Sequence, residues 1–362
     1  MQKTNSTENN NKNIPKISGV DLFCGVGGLT YGLKKSGIEI RAGVDIDTTC
    51  KYAYEQNNNA EFIGESVTEI DGETIKKYWK EGEVKMLVGC APCQPFSTYS
   101  NKVKNKEKGD KWKLLNEFSR IVEESNPDII SMENVPNLSN KNIFQSFHNQ
   151  LEKLGYTVTY QNVYCPDYGM AQKRRRLVLL ASKFGKIQLI PKTHDKTNYK
   201  TVKEAIGDLE PLKNGQKSKK DPLHFTSKLS ELNLKRIKAS RPNGTWEDWD
   251  KSLWLDCHKK KSGKTFKTVY GRMSWNEPSP TITTQFYNYG TGRFGHPVQN
   301  RAITIREAAI LQGFPKKYKF IKEGEEVFIT RLGVHIGNAV PVDLGYIIGE
   351  SIIEHLKSIG NE

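Results

Sequence analysis

The chain has 362 residues, 36% hydrophobic and 27% charged, with a formal net charge of +14 and a pI near 9.3. That supplies a core for one large domain, or a large and a smaller one, and excludes a chain too polar to fold. With no secretory leader and no run of about 18 apolar residues, and with six scattered cysteines, the expectation is a cytoplasmic protein with reduced thiols, not a membrane-embedded one.

The positive charge favours a polyanionic partner, although a lysine-rich surface without a specific purpose has the same composition. Residues 1–16 are rich in Asn, Lys and Thr and predict a disordered lead-in. Order begins at Ile17. Ser18 to Phe23 reads as a strand, followed by Cys24-Gly25-Val26-Gly27-Gly28 and a helix start at Leu29. Glycines at such a turn let backbone approach a ligand and present helix N-terminal N–H groups. A second strand, Ile38 to Val44, ends at Asp45, whose carboxylate could accept hydrogen bonds from ribose hydroxyls. The two features together favour an adenosine-bearing cofactor. A tight turn with a helix-capping Asp is the plainer alternative.

Val84 to Val88 is a short apolar run that reads as a buried strand, and Gly89-Cys90-Ala91-Pro92-Cys93-Gln94-Pro95-Phe96-Ser97 follows it. Two prolines stiffen this loop, so Cys93 is expected at the carboxyl end of a strand, where open α/β sheets keep their chemistry. A nucleophilic thiol, a buried structural cysteine and a Cys-x-Pro-Cys redox centre all suit the stretch. A zinc site does not, since no second Cys or Cys/His pair has the spacing. Lys102, Lys104, Lys106, Lys108, Lys111 and Lys113 then form a run suited to solvent or to phosphates.

Leu114 to Val122 has helical spacing, Ile129 to Met132 reads as a buried strand, and Glu133-Asn134-Val135-Pro136 stands at its end. Ile143 to Leu154 reads as a helix and Tyr156 to Tyr164 as a strand, and Gln172-Lys173-Arg174-Arg175-Arg176 opens another strand, Leu177 to Ala181. The alternation of strand and helix stops near Lys186. Residues 187–300 are irregular, with lysine clusters at 213–220 and 259–261 and with Trp246, Trp249, Trp254 and Trp275 between them. That mixture suits nucleic-acid contact or a small aromatic core. Helical periodicity returns at Arg306 to Leu311, and Ile336 to Leu356 reads as one further helix.

Six motifs in order carry a resemblance to the DNA cytosine-C5 methyltransferases of bacterial restriction–modification systems, over residues 17–356. They are Asp21 to Gly28, Gly89 to Ser97, Glu133 to Val135, Gln172 to Arg176, Arg306 to Pro315 and Gly337 to Val340. The resemblance implies an α/β fold: a Rossmann-like S-adenosylmethionine-dependent sheet with a smaller, irregular target-recognition domain. It divides the chain into a catalytic part over 17–186, a target-recognition region over 187–300 and a return to the catalytic domain over 301–362. It also implies a division of roles. Cys93 would add to C6 of a flipped cytosine and Glu133 would contact N3 and the 4-amino group. Arg176 would hold O2, with Arg174 beside it. Phe23, Gly25, Gly27, Gly28, Asp45, Ile46, Pro92 and Asn338 would hold S-adenosylmethionine, and Gln94, Ser97 and Thr281 would meet double-stranded DNA. One position departs from the family pattern. The stretch Glu65-Ser66-Val67-Thr68 puts Ser66 where a carboxylate usually contacts the adenine, so Ser66 or Glu65 is expected there. No metal is expected. A monomer is, together with a restriction endonuclease of the same site outside any stable complex.

Three rivals stay open from the sequence. An RNA methyltransferase of the same family shares the motifs, a non-catalytic DNA-binding relative has no need of Cys93, Glu133 and Arg176, and a thiol-disulfide oxidoreductase leaves the arginine motif unexplained.

Overall fold

The structure of the chain, a computed structural model, describes residues 15–92 and 108–360. Cys93, Gln94 and Ser97, the lysines from Lys102 to Lys106 and nearly all of the lead-in lie outside them.

Among the described residues nine strands form: β1 (Ile17–Leu22), β2 (Glu39–Val44), β3 (Glu61–Ile63), β4 (Val84–Gly89), β5 (Ile129–Asn134), β6 (Thr157–Tyr164), β7 (Gln172–Lys173), β8 (Arg175–Ser182) and β9 (Ser279–Pro280). Eleven α-helices accompany them among the same residues: α1 (Gly28–Lys35), α2 (Lys51–Asn58), α3 (Gly72–Lys76), α4 (Lys108–Ser125), α5 (Asn142–Lys153), α6 (Val202–Ile206), α7 (Glu231–Ala239), α8 (Asp256–Lys259), α9 (Ile305–Leu311), α10 (Ile329–Asn338) and α11 (Val342–Ile359).

Seven strands make one sheet in the order β3-β2-β1-β4-β5-β8-β6. β3 through β5 pair in parallel, and β8 runs antiparallel to both β5 and β6. All six residues of β1 and all six of β5 are buried, as strands covered on both faces require. Against one face lie Phe118 and Ile121 of α4 with Phe144, Phe147 and Leu151 of α5. Leu29 and Leu33 of α1 cover the other with Leu344, Ile348 and Ile352 of α11. α1 and α11 meet in van der Waals contact at glycines. A Cβ on Gly345 would stand 2.7 Å from the Leu29 carbonyl oxygen, and one on Gly32 would strike the Val342 carbonyl. This contact brings the chain's carboxyl-terminal motif beside its first loop.

The single helix expected over Ile336 to Leu356 is two helices, α10 and α11. Pro341 has no N–H to continue the ladder and biases its predecessor away from helical backbone. α10 is capped at Ala339, at ψ 142, and Pro341 at ψ 131 precedes the first turn of α11.

Residues 187–300 hold little regular structure. Their centre is Arg272, 4% exposed, which donates to the carbonyls of Ser240, His296, Gln299 and Ile237 and to Asn300 Oδ1. One guanidinium thereby adds to the isolated backbone bridges that join these loops. The tryptophans serve the same core. Trp246 and Trp249 are buried, and the indole N–H groups of Trp246, Trp249 and Trp254 donate to Phe266 O, Ser240 Oγ and Trp249 O. Lys213, Lys217, Lys219 and Lys220, like Lys259, Lys260 and Lys261, are exposed. Among the described residues no helix is long and apolar enough to cross a membrane.

Candidate active site

The chain leaves β1 toward β2 on one side and later enters β4 on the other, so the sheet's topological switch point lies between β1 and β4. Leu22 pairs with Gly89 at the carboxyl ends of the two strands. Ligands of open α/β sheets bind outside this crevice. A cavity of about 1130 Å³ opens there, larger than the roughly 300–1,000 Å³ of a single small-molecule site. It is continuous from Phe23, Gly25 and Asp45 through Pro92 to Glu133, Arg174, Arg176 and Thr281, with Asn338 in its wall.

At one end of the cavity Glu133 closes β5, 2% exposed. Cys90 Sγ donates to its Oε2 at 2.8 Å, and Arg176 Nε stands 2.7 Å from Oε1. Arg174 and Arg176 alternate around Arg175 and so project to one side, while Arg175 lies over the Tyr164 ring. Arg174 is 3% exposed and donates to the Ile282 and Ala339 carbonyls, with its Nε unpartnered among the described residues. Burial, then the neighbouring Arg176 charge, pulls its guanidinium down to about 9. Thr281 Oγ1 donates to the Lys173 carbonyl at 2.9 Å, fixing Thr281 beside the arginines. Asn134 donates to the Ala91 carbonyl and so ties β5 to the base of the loop that carries Cys93.

The other end is built on the turn after β1. Phe23 takes φ 60, a conformation that costs a non-glycine residue about 1–3 kcal/mol. Gly25 and Gly27 follow at φ 50 and φ 86, which suit only glycine without strain. Asp45 holds the turn, with Oδ2 accepting from the Gly25 N–H at 2.8 Å and Oδ1 from the Asp47 N–H at 2.9 Å. Burial raises its carboxyl above the usual range against those two bonds. Ile46 next to it is 72% exposed and is not among the residues that line the cavity. Gly27 and Gly28 face the protein: a Cβ on Gly27 would meet Tyr54 and Asn58, and one on Gly28 the Val340 carbonyl. Ser66 lies away from the cavity lining, its Oγ 2.7 Å from Thr68 Oγ1.

These residues suit an adenosyl sulfonium. Asp21, which also lines the cavity, is 1% exposed; its Oδ2 accepts from Thr30 Oγ1 at 2.6 Å and its Oδ1 has no hydrogen-bond partner among the described residues. Burial pushes this carboxyl up to about 7. An orphaned buried carboxylate oxygen beside a cavity matches a ligand that brings positive charge.

The profile of the C-5 cytosine-specific DNA methylases matches residues 17–354. The chain belongs to that family. It is 51% identical over 343 residues to the Type II methylase M.HgiDII of Herpetosiphon aurantiacus, covering 94% of this chain and 96% of that one. With the Type II methyltransferase M1.BsuMI of Bacillus subtilis (strain 168) it shares 32% over 356 residues, covering 92% and 79%. Its fold is similar to that of a DNA modification methyltransferase encoded within an Escherichia coli prophage, at TM-score 0.69 and 23% identity, covering 96% of this chain and all of that one.

For a C-5 cytosine-specific DNA methylase, two parts of the site escaped sequence reasoning. One is Asp21, hidden inside a motif prized for its glycines; its burial among apolar neighbours is a property of the sheet. The other is a pair of buried glutamines. Gln172 donates to the Leu311 carbonyl and Gln312 Oε1, and accepts from the Ile282 N–H; Gln312 donates to the Ile336 carbonyl. Segments as far apart as Gln172, Ile282, Gln312 and Ile336 thus share one hydrogen-bonded knot behind the cavity.

Proposed function

We propose that this chain methylates C5 of a flipped-out cytosine within a specific duplex DNA sequence through a covalent Cys93 adduct, with S-adenosylmethionine as methyl donor. The supporting observation is the single cavity that joins the Asp45 turn to Glu133, Arg174, Arg176 and Thr281. A site for one substrate alone needs no such continuity.

The residues divide the work. Cytosine C5 is too weak a nucleophile to attack a methylsulfonium. Addition of the Cys93 thiolate to C6 breaks the C5–C6 double bond and makes C5 nucleophilic, which replaces one hard step with easier ones. Glu133 contacts N3 and the 4-amino group, where charge collects on addition, and Arg176 holds O2. Arg174 braces this end through the Ile282 and Ala339 carbonyls. Phe23, Gly25, Asp45, Ile46, Pro92 and Asn338 hold the cofactor, with Asp21 toward its cationic part, and Gly27 and Gly28 let the turn pack against Tyr54, Asn58 and the Val340 carbonyl. S-adenosylmethionine bound there supplies an electrophilic methyl group. Loss of the C5 proton and departure of the thiolate then restore the ring. Gln94, Ser97 and Thr281 meet the DNA, which is flipped because a duplex hides C5 and C6.

Residues 187–300 form the target-recognition region between catalytic parts at 17–186 and 301–362, and their exposed lysines supply salt-sensitive phosphate contacts. The Type II relatives support a restriction endonuclease of the same site as a functional partner. A monomer in the cytoplasm completes the reading.

Duplexes with 5-fluorocytosine at the target test it, because fluorine blocks the final loss from C5. The wild type and Cys90→Ser should form a covalent complex with such DNA, and Cys93→Ser should form none. Equal loss in both variants would instead implicate a thiol pair.

A further inference from the structure

Residues 187–300 contain four arginines: Arg236, Arg241, Arg272 and Arg293. Three are committed within the protein. Arg272 serves the five acceptors described above. Arg236 donates to the Leu253 carbonyl and Asn233 Oδ1, and Arg241 is held in a two-point pair by Asp248 at 3.1 and 2.8 Å. Among the described residues Arg293 has one long hydrogen-bond contact, Nη1 to Asn243 Oδ1 at 3.4 Å, and it lines the same cavity as Glu133, Arg176 and Thr281.

Its mounting is rigid. The backbone on either side is pinned by Gly271 N–H to Gly292 O, Gly295 N–H to Gly271 O, Met273 N–H to Gly295 O and Ile303 N–H to Phe294 O, at 2.9 to 3.2 Å. Phe294 next to it is 3% exposed. Gly271 also makes room for the stem: a Cβ there would stand 2.9 Å from Arg293 Cγ. A long cationic side chain is thus carried on a fixed strand-like element, with its methylenes packed and its fork uncommitted.

We infer that Arg293 reads a guanine of the target site, donating from its fork to O6 and N7 in the major groove. Arginine on guanine is the commonest specific contact to DNA, and it needs a planar fork with free donors on a rigid support. The exposed lysines of the same region are point charges on mobile stems, suited to phosphates. The assignment rests on the proposed duplex-DNA activity and adds to it the base that is read.

Methylation of a random-site duplex library by the wild type and by Arg293→Gln, followed by bisulfite sequencing, tests it. Wild type should require guanine at one position of its site, and Arg293→Gln should relax that position alone by about 5- to 150-fold. Arg293→Lys should also relax it, since a point charge does not replace the fork. In the wild type, 7-deazaguanine at that position should cost at least about tenfold, and the same base should cost Arg293→Gln nothing further. Equal loss on every sequence with a shallower salt dependence would make Arg293 a phosphate contact and overturn the inference. So would an unchanged site preference in both variants, or wild-type indifference to 7-deazaguanine at every guanine of the site. Wild type that methylates no duplex would overturn the proposed activity as well.

Discussion

Asp45→Asn separates the two duties of the carboxylate beneath the first turn. The substitution preserves shape but leaves one oxygen for the Gly25 and Asp47 N–H groups, which Asp45 now accepts at 2.8 and 2.9 Å. A hydrogen bond to a charged group is worth about 1.5–3 kcal/mol, so the turn should lose about that much stability. If the carboxylate also takes a ribose hydroxyl, the cofactor loses a similar increment, and Kd should rise by about 10- to 150-fold. Calorimetric titration with S-adenosylhomocysteine gives Kd, and denaturant unfolding without ligand gives the stability change. Burial raises the Asp45 carboxyl, so wild-type affinity should weaken on acidification sooner than an ordinary carboxylate would allow, while Asp45→Asn stays flat. A variant that loses stability yet keeps its Kd would refute the reasoning, leaving Asp45 as a turn cap.

Glu307 should govern acid stability. Burial pushes its carboxyl up, but the Arg301 charge and hydrogen bonds at 2.8 and 2.7 Å more than offset this and hold it at about 2. A depressed carboxyl stabilises above its unfolded value of 4.5, so about 3 kcal/mol should disappear between about pH 4.5 and 2 in wild-type melts and be missing throughout in Glu307→Gln. Arg176→Ala, which strips the charge from Glu133 Oε1, should lower single-turnover methylation by about 100-fold or more with cofactor affinity unchanged. Gly345→Ala places a Cβ 2.7 Å from the Leu29 carbonyl oxygen and should destabilise the chain by about 1–3 kcal/mol in chemical unfolding, whereas Gly360→Ala, with only ordinary contacts near 3.7 Å, should be close to neutral.

The parts legible in the sequence are those whose physics is local. β4 and β5 announce themselves as short apolar runs because a strand buried on both faces has no polar side to show, and both are found where the runs lie. The turn at Cys24 to Gly28 is legible because the φ values of Gly25 and Gly27 can be met without strain only by glycine. The helix boundary at Pro341 was available to the same reasoning; the apolar spacing on either side of it is regular enough to conceal the break. β3, three residues long, is too short for any periodicity to register.

What the sequence by itself determined is the family, the order of its motifs and the residue types the chemistry needs, because these are written as fixed spacings along the chain. What only the tertiary structure decided is which groups meet. Cys90 reaches Glu133 across 43 positions, and Arg174 reaches Ala339 across 165. The choice of Arg293 over three other arginines rests on which acceptors the fold brings to each guanidinium. Burial decides the rest: it leaves Asp21 with a bare oxygen among the described residues and turns Trp246 and Trp249 inward. Both outcomes depend on desolvation and on long-range packing, which no local pattern encodes, since the same side chain in water would have its partners supplied by solvent.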